Sequence, residues 1–519
     1  MKKLLIGIAI VIGVLVLIAV GGFYAITTGV GVGEPFAPLF AENCAVCHGD
    51  SFEGNAQGPA LVGRPLTHGD SVGEIARSIA AGFPERGMPP WAGALDEGQI
   101  RSLAILIAEK RVGRTFTDFK TDKPLSIPTE PIDSELHRFR LQTVTTGLSA
   151  KPFSIAPLPD GSILVSEKKE GLTIVSPDGE RSDPITGTPA TGGPGFDVMG
   201  LDFGLGWLLD VAPHPDYETN GWIYLVHTDL CESCGDDGGN TLMPNTMNRL
   251  IRGRIAEGEW RDQQVIWEVP KPFYSPVPDL GAGGRLTFDP DGYAYLSVGI
   301  KGMGNFVGIQ ELDTPYGKIH RVHDDGRMPQ DNPFASNPTA MASIWTYGHR
   351  SPQGLEFDPA TGKLWSTEMG PRGGDELNLL RPGRNYGWPL YSKGVDYDGT
   401  PVEYWKNLGI EFDLEDIEQP IVDLTPSPAV SSFVIYAGEA FPGWQGSFLV
   451  GSLKATELYR FVIEDDRLVH TELLIEDLAR IRDIETGPDG NIYLLLEHAS
   501  GSQIVRMIPD DYPTTTAGS

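Results

Sequence analysis

The stretch FDPDGYAYLSVG, residues 288–299, contains an apolar run, a Pro-Asp-Gly turn and a short apolar strand. Proline fixes φ at one turn position, and glycine readily adopts the positive φ that a tight turn needs. The residues after the turn are mostly aromatic or aliphatic, as is common in strands. The stretch therefore predicts two antiparallel strands joined near Gly292.

The same pattern occurs six times along the chain, and its closing glycines lie 44 to 84 residues apart, at positions 161, 221, 292, 362, 446 and 490. A four-stranded sheet with its loops needs about 40 residues or more, so each copy fits one sheet. Six such sheets bury their faces when they close into a ring. The repeats predict an all-β six-bladed propeller at residues 136–512, with its functional site at the mouth of the central channel. A β-sandwich with similar turns is the alternative.

Two long stretches resemble a known family. They are YGHRSPQGLEFDPATGKLWSTEMGPRGGDELNLLRPGRNYGWPLY at residues 347–391 and LTPSPAVSSFVIYAGEAFPGWQGSFLVGSLK at residues 424–454. Both resemble the soluble PQQ-dependent sugar dehydrogenases, the glucose/sorbosone dehydrogenase family, and the similarity extends from about residue 140 to residue 508. The resemblance implies a propeller that binds pyrroloquinoline quinone (PQQ) with calcium and oxidises an aldose at its first carbon to the lactone.

PQQ is a planar tricarboxylate, so its site needs several fixed cations. Arginine binds carboxylates through paired hydrogen bonds, and Arg480 and Arg482 lie two apart on a predicted strand, which turns both to one side. For any single residue of this kind, a surface salt bridge is the alternative. Ser351 stands where the family has asparagine. The resemblance implies five PQQ contacts: Arg350, Gln353, Lys454, Arg480 and Arg482.

Calcium sites are implied by the same resemblance. The backbone carbonyls of Gly370 and Pro371 match the pair that holds the calcium bridging to PQQ. Glu376 and the carbonyl of Tyr386 match a second, structural site. Oxygen ligands suit this hard cation.

The family's general base is missing from this chain. In the family a histidine stands two residues before Gly-Gly-Arg-Leu, and an aspartate orients it; these positions are Gly281 and Ile300 here. General-base catalysis typically contributes about 10² to 10⁴ in rate, so unaided sugar oxidation should be slow. Asp279 is the candidate replacement, and an exposed loop carboxylate is the ordinary interpretation of it; Lys301 and Asp210 are weaker candidates.

The N-terminal part contains NCAVCHGD at residues 43–50. Cys44 and Cys47 followed by His48 give the C-x-x-C-H pattern of covalent haem c attachment, with the histidine as an iron ligand. Met88, in a Gly-Met-Pro-Pro loop, is the expected second ligand, and His68 is the reserve. Together with a helix predicted at residues 96–111, these features resemble a small all-α c-type cytochrome domain at residues 36–112.

The first 30 residues predict a membrane anchor. Residues 4–26 are 23 apolar or small residues in a row, which is long enough to span a bilayer. Lys2 and Lys3 should stay in the cytoplasm and place the rest of the chain in the bacterial periplasm. A cleaved signal peptide is the alternative.

Charge and cysteine content narrow the possible partners. The net charge of −30 argues against nucleic acid and anionic membrane surfaces as partners. Of the four cysteines, Cys231 and Cys234 lie in a loop where a disulfide is expected, with a metal site as the alternative.

These patterns combine into a membrane-anchored quinohaemoprotein with a linker at residues 113–135. PQQ would take electrons from an aldose-like sugar, or another alcohol or aldehyde, and the tethered haem c would pass them to a periplasmic cytochrome or a terminal oxidase. The alternative is a catalytically silent PQQ- or ligand-binding electron-transfer protein, which the loss of the His and Asp pair favours.

Overall fold

The structure is a computed structural model that describes residues 36–114, 118–198, 201–234, 244–301, 306 and 308–510. The chain divides into two compact units, one helical and one of β-sheets, and the second begins at Asp118. The predicted anchor at residues 4–26 lies outside the described residues. Among the described residues, no helix is long and apolar enough to cross a membrane.

The helical unit contains four α-helices within residues 36–114: α1 (Ala37–Asn43), α2 (Ala45–His48), α3 (Val72–Ala81) and α4 (Glu97–Arg111). The two longer helices each begin at a capping box, in which two side chains satisfy the backbone N–H groups of the first turn. These pairs are Ser71 with Glu74 in α3 and Asp96 with Gln99 in α4.

Helix α4 supplies most of the apolar core of this unit. Its predicted stripe is buried, and Leu103 and Ala104 have no exposed surface. Ile105 and Leu106, which lie off that stripe, are also fully buried. The helix is therefore covered nearly all round, more than its sequence periodicity indicates.

The β-sheet unit contains six large sheets within the described residues, one of five strands, four of four and one of three. The strands at Gly195–Val198 and Leu201–Gly204 form a separate two-stranded sheet. Two short helices, α5 (Tyr217–Asn220) and α6 (Tyr404–Leu408), lie in loops. The strands are β1 (Ile132–Asp133), β2 (Arg138–Leu148), β3 (Pro152–Pro157), β4 (Ile163–Glu167), β5 (Gly171–Val175), β6 (Gly195–Val198), β7 (Leu201–Gly204), β8 (Leu208–Pro213), β9 (Ile223–Cys231), β10 (Asn245–Ala256), β11 (Glu259–Trp267), β12 (Gly283–Phe288), β13 (Tyr293–Val298), β14 (Lys318–His323), β15 (Ile344–Tyr347), β16 (Pro352–Asp358), β17 (Lys363–Glu368), β18 (Glu376–Leu380), β19 (Val422–Asp423), β20 (Val430–Ile435), β21 (Phe448–Ser452), β22 (Leu458–Glu464), β23 (Arg467–Ile475), β24 (Arg480–Thr486), β25 (Ile492–Glu497) and β26 (Ser502–Pro509).

The innermost strands of the six described sheets form a closed ring. In order around the ring they are β3, β8, β12, β16, β20 and β24, and β24 packs against β3 again. The ring closes through one sheet of mixed origin, in which the early strand β2 pairs with the final strand β26. The six-bladed propeller predicted from the repeats is confirmed.

Each repeated turn joins an innermost strand to the second strand of its sheet. All six glycines in these turns have positive φ, from 65° at Gly221 to 84° at Gly161. This conformation is costly for residues with a side chain, which explains why glycine recurs there. The six turns share one end of the ring, so the opposite end is formed by the starts of the innermost strands and the ends of the second strands.

Every innermost strand is irregular near its start. The pairing with the second strand shifts register at Phe153, Asp210, Arg285, Gln353, Ser431 and Arg482, or within one residue of them. A β-bulge inserts an extra residue and re-aims the side chains around it, and bulges are frequent next to functional sites. Five of the six irregularities carry a polar residue, and all six lie near the starts of the innermost strands.

The predicted linker at residues 113–135 is packed on the propeller over much of its described length. Leu125, Ile127 and Ile132 contact the core cluster that includes Phe139 and Trp444. Strand β1 pairs with β2. Apolar side chains in the segment explain this packing, because each removes its surface from water.

The predicted disulfide between Cys231 and Cys234 is confirmed, with their Cα atoms 5.5 Å apart. Cys44 and Cys47 are not joined to each other or to another described cysteine. Cys44 and Cys47 therefore remain available for a different chemistry.

Candidate functional site

The helical unit contains a cavity with a volume of about 220 Å³, several times the ~30 Å³ that one water occupies in the liquid. Cys44, Cys47, His48, Met88 and His68 all line it. Burial raises the pKa of the Cys44 thiol to about 11, with Cys47 adding to the effect. The structure thus brings together both thiols and every iron ligand that the sequence suggested.

His48 is oriented by its own hydrogen bond. The ring Nδ1 lies 2.8 Å from the carbonyl oxygen of Pro59, which suits an Nδ1–H donor and directs Nε2 away from that carbonyl. A second partner of this kind fixes the tautomer and orientation of a metal-binding histidine. The residues at this cavity therefore fit a haem held by two thioethers and an axial histidine.

Met88 lies in a short, rigid loop. The Met88 and Phe83 backbones exchange two hydrogen bonds, of 2.8 and 3.2 Å, and Gly87 between them has a φ of 89°. His68 stacks on the Phe83 ring with centroids 4.3 Å apart. Pairing on both sides of Gly87 holds Met88 on the cavity wall, as a thioether ligand requires.

At the propeller mouth, Arg480 and Arg482 share one carboxylate. Arg480 Nε donates to Glu497 Oε1 at 2.9 Å, and Arg482 Nε donates to Oε2 at 2.7 Å. All three residues are buried. The predicted orientation of the two arginines to one side is confirmed by this common partner.

Several cations act on Glu497. Burial alone would raise the pKa of its carboxyl, but Arg482 and Arg480, followed by Lys168 and Lys151, lower the pKa well below its ordinary value. Four cations thus act on one carboxylate, which leaves a positive basin in a chain of net charge −30. Such a basin can hold an anionic ligand.

Lys168 and Glu497 were missed in the sequence. Lys168 is buried, and its Nζ lies 4.4 Å from the centre of the Trp207 ring. Both residues stand at or just beyond the end of a second strand, β4 and β25 respectively. The repeat pattern contains this signal, because the ends of the second strands return to the channel mouth.

The remaining predicted cations also belong to this end of the ring. Arg350 precedes β16, and its Nη1 donates to the carbonyl oxygens of Met369 and Gly370 at 3.1 and 2.9 Å. Lys454 follows β21, and its backbone N–H donates to Pro428 at 3.0 Å. Arg350 and Lys454 therefore lie where the innermost strands begin and the second strands end.

Gln353 and Ser351 form a small polar pair at the start of β16. Gln353 Nε2 donates to Ser351 Oγ at 3.0 Å, and both side chains are buried. The serine that replaces the family's asparagine therefore holds the glutamine instead of leaving a gap.

Below the mouth, Arg285 bridges the channel. It donates to Asp483 Oδ1 at 2.7 Å and to the Gln353 carbonyl at 2.7 Å, and it lies 3.4 Å from Asp210 Oδ1. It also donates to the backbone carbonyl of Arg482 at 3.2 Å. These contacts join four of the innermost strands and give the site a fixed floor.

Two further carboxylates stand on the channel wall near Asp483. Burial, with the charges of Asp483 and Asp210, raises the pKa of Glu356 to about 8. Burial, with Glu356 and Asp483, raises the pKa of Glu485 well above its ordinary value. Burial and mutual repulsion therefore favour the protonated form of both carboxyl groups on the wall below the floor.

The loop at Gly370 suits a hard cation. A Cβ atom at Gly370 would lie 2.2 Å from the Gly373 carbonyl oxygen and 2.5 Å from that of Gly374, so backbone oxygens converge there. Gly370 N–H also donates to Asp375 Oδ1 at 3.0 Å. Carbonyl and carboxylate oxygens of this kind are calcium ligands. The Gly370 carbonyl accepts from Arg350 in this structure, and the calcium site at Gly370 and Pro371 stays a prediction.

Glu376 and Tyr386, which are predicted to form the second calcium site, each have their own surroundings. Burial, followed by the charge of Glu368, raises the pKa of Glu376 to about 8. The Tyr386 hydroxyl donates to the Leu379 carbonyl at 2.7 Å, and its ring stacks on His349. Both residues are rigidly held, and their joint role in binding calcium stays a prediction.

Asp279 is not the exposed carboxylate that the sequence indicated. Its side chain has no exposed surface. It accepts hydrogen bonds from Lys301 Nζ at 2.6 Å, Thr228 Oγ1 at 2.6 Å, Thr246 Oγ1 at 2.8 Å and the Gly206 N–H at 2.9 Å. A carboxylate engaged by four donors is a poor general base, because abstracting a proton means giving up these bonds. The structure argues against the hypothesis that Asp279 replaces the lost histidine.

Backbone segments pack closely around the positions of the lost pair. Ile300 N–H donates to the Arg350 carbonyl at 2.8 Å, and a Cβ at Gly299 would lie 2.1 Å from the Gly281 carbonyl oxygen. Lys301 is buried and bound to Asp279, and Asp210 is bound to Arg285. Neither weaker candidate is therefore an available base in this arrangement.

Comparison with known proteins agrees with this geometry. The family model described as Glucose / Sorbosone dehydrogenase matches residues 149–506. The model described as Cytochrome C oxidase, cbb3-type, subunit III matches residues 34–107, which confirms the predicted c-type cytochrome domain.

Relatives and solved structures cover the propeller. Aldose sugar dehydrogenase YliI of Escherichia coli is 33% identical over 364 residues, which are 69% of this chain and 90% of the relative. Quinoprotein glucose dehydrogenase B of Acinetobacter calcoaceticus is 27% identical over 475 residues, covering 78% of this chain and 94% of that protein. The crystal structure of the apo-form of the soluble Aldose sugar dehydrogenase from E. coli is 30% identical, covers 72% of this chain and 99% of its own, and has a TM-score of 0.59.

Proposed function

The chain belongs to the glucose/sorbosone dehydrogenase family and carries a c-type cytochrome domain on its N-terminal side, and from this premise we propose that it is a membrane-anchored quinohaemoprotein dehydrogenase. The substrate would be an aldose-like sugar or another alcohol or aldehyde. The site would lie on the periplasmic side, with the apolar N-terminal segment as its anchor. A periplasmic cytochrome or a terminal oxidase would take the electrons onward.

The positive basin at the channel mouth carries this proposal. Arg480 and Arg482 are fixed by Glu497, and Lys168 adds a further charge. A mere structural salt bridge needs one cation for one carboxylate. Several cations gathered around one buried carboxylate fit a ligand with several carboxylates, which is the chemistry of PQQ.

Each group of residues has a separate task in the proposed enzyme. PQQ supplies two-electron oxidation and haem c one-electron transfer when they are bound. Arg480, Arg482 and Lys454 would hold the carboxylates, and Gly370 with Pro371 would hold calcium beside them. Arg285 holds the floor together through its contacts with four other innermost strands. Cys44, Cys47, His48 and Met88 would hold the haem.

The linkage between the domains favours direct electron transfer. Helix α4 ends at Arg111 and the propeller unit begins at Asp118, so six residues connect them. Short linkers give effective concentrations on the millimolar scale. The cytochrome therefore need not find its donor by free diffusion.

A silent binding protein is the second candidate, and the vacant base position favours it. Of the candidates considered, Asp279 is engaged by four donors, Lys301 is bound to Asp279, and Asp210 is bound to Arg285. Such a protein would bind PQQ and relay electrons without oxidising sugars.

Haem absorbance tests the enzyme against this alternative. The purified, haem-loaded full chain receives PQQ and calcium, then a panel of aldoses, other alcohols and aldehydes. Haem reduction that needs both PQQ and a substrate supports the dehydrogenase. An oxidised haem throughout, despite saturable PQQ uptake by calorimetry, supports the silent protein.

Two variants connect this readout to the basin. Arg482→Met should abolish PQQ-dependent haem reduction. Arg460→Met removes a comparable buried arginine, which is bonded to Glu472 in an outer strand, and should retain the reduction. Equal loss of PQQ-dependent haem reduction in both variants would contradict the assignment of the basin to PQQ.

A further inference from the structure

Residues 118–123, which we call the strap, lie against the propeller mouth. One end is anchored: the Thr121 carbonyl accepts a hydrogen bond of 3.0 Å from the Ala499 N–H. Lys123 Nζ forms an ion pair of 2.9 Å with Asp477 and donates to the Leu478 carbonyl at 3.2 Å. These contacts hold the strap beside β24 and β25.

The other end of the strap reaches the cations assigned to the quinone. The Phe119 carbonyl accepts a hydrogen bond from Arg480 Nη1. Asp118 is next to Lys120, with 2.5 Å between Nζ and Oδ2. Burial opposes its ionisation, but the bonds from Lys120, and the charges of Lys120 and Lys454, lower the pKa of Asp118 overall. A carboxylate of the chain itself thus interacts with one of these cations.

This arrangement uses both edges of the Arg480 guanidinium. Glu497 engages Nε on one edge, and Phe119 engages Nη1 on the other. A carboxylate binds arginine best through two parallel bonds along one edge. Glu497 is buried and also holds Arg482, so a ligand carboxylate that pairs along the Nη1–Nη2 edge of Arg480 competes with the Phe119 carbonyl for Nη1.

We propose that the strap is an internal stand-in for the quinone carboxylates, and that quinone loading displaces Asp118 and Phe119 while Thr121 and Lys123 stay anchored. This inference rests on the proposed function, since it names PQQ as the displacing ligand. Displacement adds residues 118 and 119 to the connection between the domains. Cofactor loading thus controls the length of the tether that carries the haem.

Hydrogen exchange of the haem-loaded full chain tests the displacement. The Lys120 N–H donates to Asp118 Oδ1 at 3.0 Å and the Ala499 N–H to the anchored Thr121. On addition of PQQ and calcium, exchange at Lys120 should accelerate several-fold while exchange at Ala499 stays constant. Slower exchange at Lys120 would mean that the strap is a permanent wall of the pocket and would overturn the proposal.

Charge variants test the competition. Asp118→Asn should tighten PQQ binding about two- to five-fold, as expected when an exposed competing ion pair is removed. The control is Asp122→Asn, because Asp122 is exposed and makes the same change of net charge in the same segment. Equal affinities of the two variants, measured by calorimetry, would overturn the proposal.

A quinone-free measurement separates this proposal from the proposed function. In the haem-loaded full chain without PQQ, Asp118→Asn should by itself accelerate hydrogen exchange at the Lys120 N–H, and Asp122→Asn should not. If PQQ shows no saturable uptake, the proposed function and the displacement both fail, whatever the strap does. If PQQ binds and exchange at Lys120 is unchanged, only the strap proposal fails.

Discussion

Gly281 and Ile300 carry no proton acceptor, and the backbone conformation of Gly281 suits a residue with a side chain. Gly281 lies in a short 3₁₀ turn and is not among the glycines with positive φ. A residue with a side chain can therefore adopt its conformation. This position therefore lacks a side chain, but its backbone conformation is suitable for one.

The double variant Gly281→His, Ile300→Asp should accelerate substrate-dependent haem reduction by about 10²-fold or more, the low end of what a general base contributes. Ile300→Asp alone should bring no gain, because it places a carboxylate without a histidine to orient. Stopped-flow absorbance measures both. A double variant that binds PQQ and is no faster than the parent would contradict the role assigned to this position.

Glu497 makes a second residue-scale prediction. Glu497→Gln leaves Arg480 and Arg482 buried without their partner, which should lower the free energy of unfolding by about 3–5 kcal/mol. Added PQQ should recover much of the loss in thermal unfolding, because its carboxylates replace the missing charge.

The control for this experiment is Glu472→Gln, which disrupts the buried pair with Arg460. It should be destabilised without recovery by PQQ. Similar recovery in both variants would show that the quinone does not act at Arg480 and Arg482. Because the folded pKa of Glu497 is depressed, its stabilisation is present above the unfolded pKa near 4.3 and is lost as pH falls below it.

At the scale of the element, one rule places the site: innermost strands begin, and second strands end, at the same mouth. Arg480 and Gln353 follow the first half of the rule, and Lys168 and Glu497 the second. The repeated Pro-Asp-Gly turns made the strand pairs predictable from sequence. The bulges were not predictable, because they depend on pairing between strands and leave no local signature at Arg482 or Arg285.

The same dependence on contacts between distant strands explains why the burial of Asp279 was not predicted from the sequence. From sequence it is a loop carboxylate after a proline, which is ordinarily exposed. Its burial depends on Lys301, Thr228 and Thr246, which come from other parts of the chain. Such a network is visible only when strands far apart in sequence are assembled.

The innermost strands also predict an unusual pH dependence. The folded pKa of Glu356 is about 8, above the unfolded value near 4.3, so between these values the folded state binds more protons. Stability should therefore fall as pH rises from about 4.3 to 8. The substitution Glu356→Gln should abolish this fall in stability with rising pH.

The variant should have a higher melting temperature than the parent at pH 8.5, and the gain should vanish near pH 5. Calorimetry at several pH values measures it, with the exposed Glu464→Gln as a control that changes little at either pH. A gain of the same size at both pH values would show that Glu356 is ionised throughout and would contradict the raised pKa.

At the scale of the whole molecule, a short covalent connection joins the two units. Effective concentration falls roughly as the −3/2 power of linker length. Inserting 20 Gly/Ser residues between Arg114 and Asp118 should therefore slow intramolecular haem reduction about tenfold, from the six residues present. The same insertion after Asp510, beyond β26, should have no effect. Equal rates in all three proteins would indicate electron transfer between separate molecules.

The order of strands in the closing sheet affects how the chain is made. Strand β2 is synthesised near the start of the propeller, yet its partner β26 is the final described strand, more than 350 residues later in the pairing Arg140 with Ile508. Contacts of such long sequence separation form late and slowly. A ribosome that has delivered five complete sheets still holds an open arc, and a chain truncated before Ser502 would expose an unpaired strand edge along β2. We expect such fragments to aggregate instead of folding into a smaller ring.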